Sequence, residues 1–288
     1  MIQATHTLND HQLGEAKALI AICQDDDGTF RDPYLSNMLN FDPDMPAFFL
    51  YYEKGELIGL LTVYADDPNV EVAILVHPNH RRQGIARALY RSFEKETASY
   101  PIESVTFQTE RIFLERHPEF ASNWGLVEDE ETETWLGKDR RPYPLATVSN
   151  LDVLLADRSY QDQISQLKFQ AFSEEHESRE VVDRYVAKAL KDPESLLYIL
   201  LKNGQVIGTC TVDLSSNTNY LYGLAIAEHE RGKGYGSYLA KSLVNQLIEQ
   251  NDKEFQIAVE DSNVGAKRLY EKIGFVKQTQ VVYLDRKE

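Results

Sequence analysis

Two stretches of this chain carry the same basic, glycine-bearing turn in the same setting. Residues 76–90 read VHPNHRRQGIARALY and residues 226–240 read IAEHERGKGYGSYLA. Arg81, Gly84 and Ala86 precede Arg231, Gly234 and Gly236 by 150 positions. In both copies an apolar run leads in and an amphipathic helical pattern leads out. The chain therefore has to fold a strand–turn–helix unit twice. A helix N-terminus leaves backbone N–H groups unpaired and carries partial positive charge. Duplicated turns of this kind predict duplicated binding of a phosphate-containing ligand.

The duplication extends beyond the turns. GELIGLLTV (Gly55–Val63) matches GQVIGTCTV (Gly204–Val212), with Gly59 149 positions before Gly208. Each reads as a strand leaving a tight hairpin, preceded by AFFLYYE (Ala47–Glu53) or SLLYILLK (Ser195–Lys202). Each half opens with a short strand, near Gln3–His6 or Leu151–Leu155, followed by one or two helices. A meander ends at Val70–Val76 or Tyr220–Ile226, and the glycine turn and a long helix come next. In the second half Leu239, Leu243, Leu247 and Ile248 share one helix face; in the first, Ile85, Leu89 and Phe93 do. A further strand (Ser104–Gln108; Phe255–Val259), a helix and a last hairpin complete each unit. This order predicts an α/β fold, a mixed sheet flanked by helices, in two tandem domains over 1–140 and 147–288. The segment Gly137–Asn150, with Gly, two prolines and several charges, reads as the linker.

Composition narrows the function classes. At 288 residues the chain is long for one core. Its net charge is −16, with −12 on residues 1–146 and −4 on the rest. That balance argues against a nucleic-acid partner, which calls for a basic face. It suits either cationic acceptors or plain solubility. No apolar run approaches the roughly 20 residues of a membrane span, and the first residues lack a signal-peptide pattern. Cys23 and Cys210 sit one in each half, which argues for a reducing cytoplasm rather than a disulfide framework. Cys210, in VIGTCTV, reads as a core residue of a strand.

In Arg231–Gly236 the three glycines Gly232, Gly234 and Gly236 remove side chains from the approach of a pyrophosphate. Arg231 and Lys233 add positive charge. The spacing does not fit a P-loop, which needs four residues between its glycines and then Lys-Ser/Thr. Nor does it fit the dinucleotide fingerprint, because it reads G-x-G-x-G with no acidic strand residue about 20 positions later.

With its neighbours, the turn resembles the GNAT superfamily of acyl-CoA N-acyltransferases, whose signature is Q/R-x-x-G-x-G/A. Arg231-Gly232-Lys233-Gly234-Tyr235-Gly236 matches it in full. Arg81-Arg82-Gln83-Gly84-Ile85-Ala86 matches with the allowed alanine. A second family element, Asn then Ala, Leu-Tyr and Gly-Phe, is similar to NVGAKRLYEKIGF (Asn263–Phe275). The resemblance implies a tandem acetyl-CoA-dependent N-acetyltransferase without a metal, whose acceptor is a primary amine of a small molecule or protein. It implies that Arg231–Gly236 hold the CoA pyrophosphate and that Leu224, Ala225 and Ile226 pair with the pantetheine amides. Asn263 would bind the cofactor arm. Tyr270 would be the acid that protonates the leaving thiolate, and the Ile226 N–H the oxyanion donor. Val76 with Arg81, Arg82, Gln83, Gly84, Ile85 and Ala86 form the corresponding second set.

The first half departs from the pattern. In FLERHPEFASNWGLV (Phe113–Val127) the position of Tyr270 falls on Ala121 or Phe120, and Pro118 interrupts the helix. That half either binds acyl-CoA weakly or shapes the acceptor cleft as a structural partner. Glu71 is either a base or a solvated strand-edge charge. For the second half Tyr222, Glu260, Asp261, His229 and a water chain are all candidate bases. Glu174, Glu175, His176 and Glu177, in the segment Phe172–Leu190, mark an acceptor region. The rival reading is an acyl-CoA-binding sensor or scaffold without turnover. Oligomeric state is left open, a homodimer included.

Overall fold

The computed structural model describes residues 1–146, 148–172 and 178–287. The chain divides into two compact units, Met1–Thr134 with Gln278–Glu288, and Trp135–Lys277.

The first unit opens with β1 (Ile2–Thr5) and α1 (Asp10–Asp27), followed by β2 (Phe48–Glu53), β3 (Glu56–Tyr64) and β4 (Asn69–Val76). Then come α2 (Ile85–Glu96), β5 (Ser104–Glu110), the short α3 (Arg111–Arg116) and α4 (Phe120–Trp124), and β6 (Leu126–Lys138). The second unit repeats the order with β7 (Leu151–Leu155), α5 (Gln161–Phe172), α6 (Arg179–Ala189), β8 (Ser195–Lys202), β9 (Gln205–Asp213) and β10 (Asn219–Ile226). It continues through α7 (Tyr235–Gln250), β11 (Phe255–Glu260) and α8 (Val264–Lys272) into β12 (Val276–Arg286).

Local chemistry sets the element ends. Asn9 and Gln12 form a reciprocal capping box at α1, and Gly28 closes that helix in the left-handed region. The hairpins turn at Lys54-Gly55 and Asn203-Gly204, all four residues at positive φ. That is the two-residue turn whose twist matches its strands. Pro118 lies between α3 and α4, so the expected single helix is broken there.

In the first unit the strands run β1-β2-β3-β4-β5-β12-β6, and in the second β11-β10-β9-β8-β7. The strands on either side of each glycine turn are parallel, β4 to β5 and β10 to β11. A helix crosses over between them, α2 in one unit and α7 in the other, as parallel neighbours require. Both units are mixed α/β. In the first, Phe48, Phe49, Leu60 and Leu61 are fully buried with Leu19 and Ile20 of α1 and Leu89 and Phe93 of α2. In the second, Leu239, Leu243 and Leu247 of α7 pack with Cys210, Val212 and Leu221. Ile164, Val182 and Val186 of α5 and α6 cover Leu197, Ile199 and Leu201 in a separate cluster.

The units are not the consecutive stretches 1–140 and 147–288. The last strand belongs with the first unit, where Val281–Leu284 pair antiparallel with Phe107–Glu110 of β5. Val281, Val282 and Leu284 have no exposed surface. The expected linker Gly137–Asn150 is likewise anchored. Gly137 and Lys138 end β6, Arg140 donates to the carbonyls of Ile248 and Asn251, and Tyr143 N–H donates to Asn245 Oδ1 at 2.8 Å. Arg140 thereby satisfies carbonyls at the end of α7 that have no partner within the helix.

Leu284→Ala should destabilise the first unit by about 2–5 kcal/mol, because a fully buried leucine leaves a cavity. Trp124 fluorescence in a Trp135→Phe background follows that unit. An unchanged denaturant midpoint would exclude β12 from its core.

Candidate functional site

Each glycine turn leaves its helix start open. Gly84 and Gly234 occupy the N-cap positions of α2 and α7 at φ 84° and 85°, and neither helix start has a side-chain cap. The first-turn amides are therefore unclaimed by side chains, as an anion site needs. A side chain at Gly84, Gly232 or Gly234 would meet no atom within 4 Å. Those positions face open space, and positive φ is what selects glycine at Gly234 and Gly232. Arg82 takes the position of Gly232 at φ 63°, a conformation rare for a side-chain-bearing residue.

Gly236 has a different reason from the one its spacing suggests. A Cβ there would lie 3.0 Å from Leu269 Cδ1, with Leu224 and Ile226 also in contact. Its missing side chain permits close packing of α7 on α8 and β10. The basic residues also differ from expectation. Arg231 Nε donates to Ile226 O at 3.0 Å and Arg81 Nε to Val76 O at 3.0 Å, so each arginine pins its turn to the strand end. Lys233 is held by His229 O at 2.8 Å and by Glu230 at 3.0 Å, and Glu230 also pairs with Lys202. Much of the Lys233 charge is thus spent inside the protein.

The strands leading to the turns part company. β10 and β11 pair only over Asn219–Leu221 with Phe255–Ile257. β4 and β5 pair over Asn69–Val72 with Ser104–Phe107. On the other edge, Ala227 N–H donates to Ile207 O, and Ile226 stands opposite Gly208. Antiparallel pairs alternate, so Ile226 N–H points away from β9 toward the parted edge. His77 N–H donates to Ile58 O, which places Val76 in the same way.

One feature separates the two strands. β10 slips register against β9 between Tyr222 and Ala225, where Gly223 has φ 58°. β4 runs against β3 in unbroken register from Val76 to Glu71. The second unit therefore carries a β-bulge, one extra residue that re-aims the backbone beside the splay. A glycine inside a strand pattern is the sequence sign of such a bulge, and the tripeptide Tyr222-Gly223-Leu224 displayed it.

Around this bulge lie several titratable side chains. Tyr270, on α8, is 6% exposed, and burial raises its phenol well above the ordinary value, with the nearby Cys210 thiol adding to the rise. The Cys210 thiol is pushed up to about 12 by burial, which makes it an inert core group as expected. Asn263 is the N-cap of α8, and its Oδ1 accepts from Ala266 N–H at 3.1 Å. Among the candidate bases, Tyr222 is pushed up to about 12 by burial. Asp261 pairs with Lys267 at 2.9 Å, and Glu260 accepts from Ser262 Oγ at 3.3 Å. The sequence reading missed Lys168 of α5, whose Nζ lies 2.6 Å from where a Cβ on Gly223 would stand. Glu174, Glu175, His176 and Glu177 lie outside the described residues.

The first unit encloses a cleft of about 530 Å³ at its own turn. Ile74 and Val76 of β4, Gln108 of β5, Gly84 and Trp124 line it, with Asp27 at its margin. Asp27 holds both terminal nitrogens of Arg81 at 2.7 Å, and Asp26 approaches at 3.2 Å. The turn arginine is thus already neutralised. Phe120 and Ala121, at the place of Tyr270, carry no hydroxyl. Glu71 is half-buried rather than a solvated edge charge. Gln108 Nε2 donates to it, and burial pushes its carboxyl up to about 7 against the pull of Arg31.

A model of the acetyltransferase (GNAT) family matches residues 16–137 and again residues 161–275. The chain belongs to that family. It stands among the acetyl-CoA-dependent N-acetyltransferases, with two family segments in tandem. A mycothiol acetyltransferase of Clavibacter sepedonicus is 27% identical over 230 residues, 76% of this chain and 73% of that one. A second, from Clavibacter michiganensis subsp. michiganensis, is 26% identical over 263 residues, 87% and 83% of the two chains. Among solved structures, a GCN5-related N-acetyltransferase from Sphaerobacter thermophilus superposes with a TM-score of 0.70 at 18% identity, covering 99% of this chain and 94% of that one. A tandem GNAT protein from the clavulanic acid biosynthesis pathway gives 0.68 at 17% identity, covering 99% and 97%. These structural likenesses concern the fold.

Glu71 makes a pH-dependent contribution that can be measured. A carboxyl raised from 4.5 to about 7 in the folded protein stabilises it fully below pH 4.5 and loses that effect as pH rises through 7. Glu71→Gln should therefore raise the melting temperature of the first unit at pH 8 relative to its effect at pH 4. A difference that does not change with pH would disprove the raised carboxyl.

Proposed function

We propose that the second unit transfers an acetyl group from acetyl-CoA to a primary amine by direct attack, and that the first unit is not catalytic. The observation that carries this reading is the bulge at Gly223, present in β10 and absent from β4. It lies on the strand that leads into the open turn at Gly234, and Cys210, whose Sγ donates to Tyr222 O at 3.6 Å, links it to Tyr270. The residues fit the cosubstrate, because the unclaimed amides at Gly234 suit a pyrophosphate and the parted edge of β10 suits an amide-bearing arm. Acetyl-CoA supplies the acyl group as a thioester.

In this reading the amides of Arg231–Gly236 bind the diphosphate, and Leu224, Ala225 and Ile226 offer backbone pairing to the arm. Lys233 contributes through its backbone more than its charge. Tyr235 and Gly236 complete the first turn of α7. Asn263 fixes the start of α8 and with it the place of Tyr270. Ile226 N–H stabilises negative charge on the carbonyl oxygen during attack. Tyr270 donates its proton to the leaving sulfur; burial keeps the phenol in its protonated form until the thiolate develops.

The names of the two Clavibacter relatives favour a small-molecule amine over a protein acceptor. Two buried, unpaired cysteines agree with a reducing, cytoplasmic setting. The cleft at Gly84 supports a second role for the first unit, holding an acyl-CoA through Val76 and Arg81–Ala86 without turnover.

Gly234→Glu places a carboxylate beside the diphosphate and should abolish acetyl-CoA binding by the second unit in calorimetry. Unchanged affinity would defeat the turn assignment. Tyr270→Phe should lower kcat by about 10²-fold or more in a thiol-release assay with a pooled amine library, while acetyl-CoA affinity stays constant. Full activity would remove Tyr270 as the acid.

A further inference from the structure

Lys168 belongs to neither turn and, among the described residues, to no ion pair, yet it sits against the bulge. It is 5% exposed. Its Nζ lies 3.4 Å from Thr211 Oγ1, and 5.4 Å and 5.9 Å from the ring centres of Tyr185 and Tyr222. The amine fills the space that a side chain on Gly223 would occupy. Among the described residues no carboxylate pairs with it. An unpaired buried charge is costly, and burial accordingly lowers the Lys168 pKa to about 8.

Its position relative to Tyr270 matters more. Cys210 and Tyr270 lie in the core on the α7 face of the sheet. Thr211 follows Cys210 in β9, so its side chain points to the opposite face. Lys168 reaches Thr211 from α5, on the face where α5 and α6 cover β8. The bulge thus has a phenol on one face of the sheet and an amine on the other. The strands beside it are parted beyond Leu221.

We propose that Lys168 is the proton acceptor for the substrate amine in the second unit, acting from the face opposite Tyr270. The inference rests on the acetyl-transfer reading of that unit. An alkyl amine is an ammonium at neutral pH, with a pKa near about 10, and cannot attack until it loses a proton. That proton moves to neutral Lys168 Nζ. The freed lone pair forms the C–N bond, the C–S bond breaks, and the sulfur takes the Tyr270 proton. The amide nitrogen returns its second proton to the Tyr270 oxygen, and Lys168 releases its own to water. Among the described residues the groups facing Lys168 are Thr211 on β9, Tyr222 on β10 and Tyr185 on α6, and the Cys210 thiol acts on it from the other face of β9. Asp192 and Asp213 act on Tyr222, and their carboxyls are raised from 3.8 by burial.

The test compares two acceptors in the full chain. Benzylamine needs deprotonation at pH 7, and hydroxylamine does not. Lys168→Met should lower kcat/KM for benzylamine by about 10²-fold or more and for hydroxylamine by less than tenfold. The acid limb of the wild-type pH profile with benzylamine, centred near 8, should move up toward the pKa of the benzylammonium ion itself in the variant. Lys168→Arg, which keeps a buried cation but cannot take up a proton, should behave as the methionine variant does. Acetyl-CoA affinity reports that both variants are folded. Equal losses for the two acceptors, an acid limb that stays near 8 in the variant, or full activity of the arginine variant would overturn the assignment. No thiol release by the wild-type protein with either amine would overturn the acetyl-transfer reading, and this inference with it.

Discussion

The parting of two parallel strands is the feature on which both halves of this chain depend. A parallel pair held by regular hydrogen bonds offers no room for a ligand between its members. Here β10 and β11 keep only three residue pairs, and β4 and β5 only four. Beyond them the facing backbone groups need partners, because unpaired polar groups away from water are costly. Under the proposed function an extended ligand with its own amides would meet that need, and the helix that begins after the turn would meet its charge. Residues at the end of each strand are locked from behind by β3 or β9 and by the arginine that follows. The splay is thus a fixed edge rather than a frayed end.

The two copies diverge in what surrounds that edge. In the second unit a bulge re-aims the backbone, and a phenol and an amine take up opposite faces. In the first the strand is regular, the equivalent of the phenol is Phe120 or Ala121, and Asp27 takes the outer nitrogens of the turn arginine. Duplication preserved the parts that fold the turn, namely Arg81 and Arg231 on a strand carbonyl and Gly84 and Gly234 at the helix start. The parts that differ are those a single strand slip or side-chain exchange can change. Structure and chemistry therefore separate within one repeat, which is why matching glycines do not imply matching activity.

Much of the fold was legible because its signals are local. Lys54-Gly55 and Asn203-Gly204 announce hairpins, and the spacing of Leu239, Leu243 and Leu247 announces a buried helix face. The element order followed from those signals and from the period. The exchange of the last strand was not legible, since VVYL near the C-terminus reads as a strand whichever unit it completes. Which edge it joins is decided by burial of Val281, Val282 and Leu284 against β5. Lys168 was invisible for a related reason. A lysine on an amphipathic helix reads as surface, and only the missing side chain of Gly223, 55 positions later, makes room for it. At Gly236 the helix–helix contact was not legible either, since a glycine beside a ligand turn and one at such a contact look alike in sequence.

Electrostatics explains why an acidic chain can carry an anion turn at all. The net charge of −16 falls mostly on residues 1–146, and its field is screened over about 8–10 Å in physiological salt. The field at a helix start is local, comparable to about half a positive charge, and it falls off within the first turn. What decides binding is therefore the nearest carboxylate, not the total. Close before Gly234 in the chain, the carboxylate of Glu230 is turned to Lys202 and Lys233. Around Gly84 the buried Asp27 faces the turn arginine, and His117 Nε2 lies 3.4 Å from it. A diphosphate entering there would meet an arginine whose charge is already matched, and it would gain from the backbone amides alone. The first cleft thus has the shape for such a ligand with less of the charge, a difference made by Asp26 and Asp27 at the end of α1.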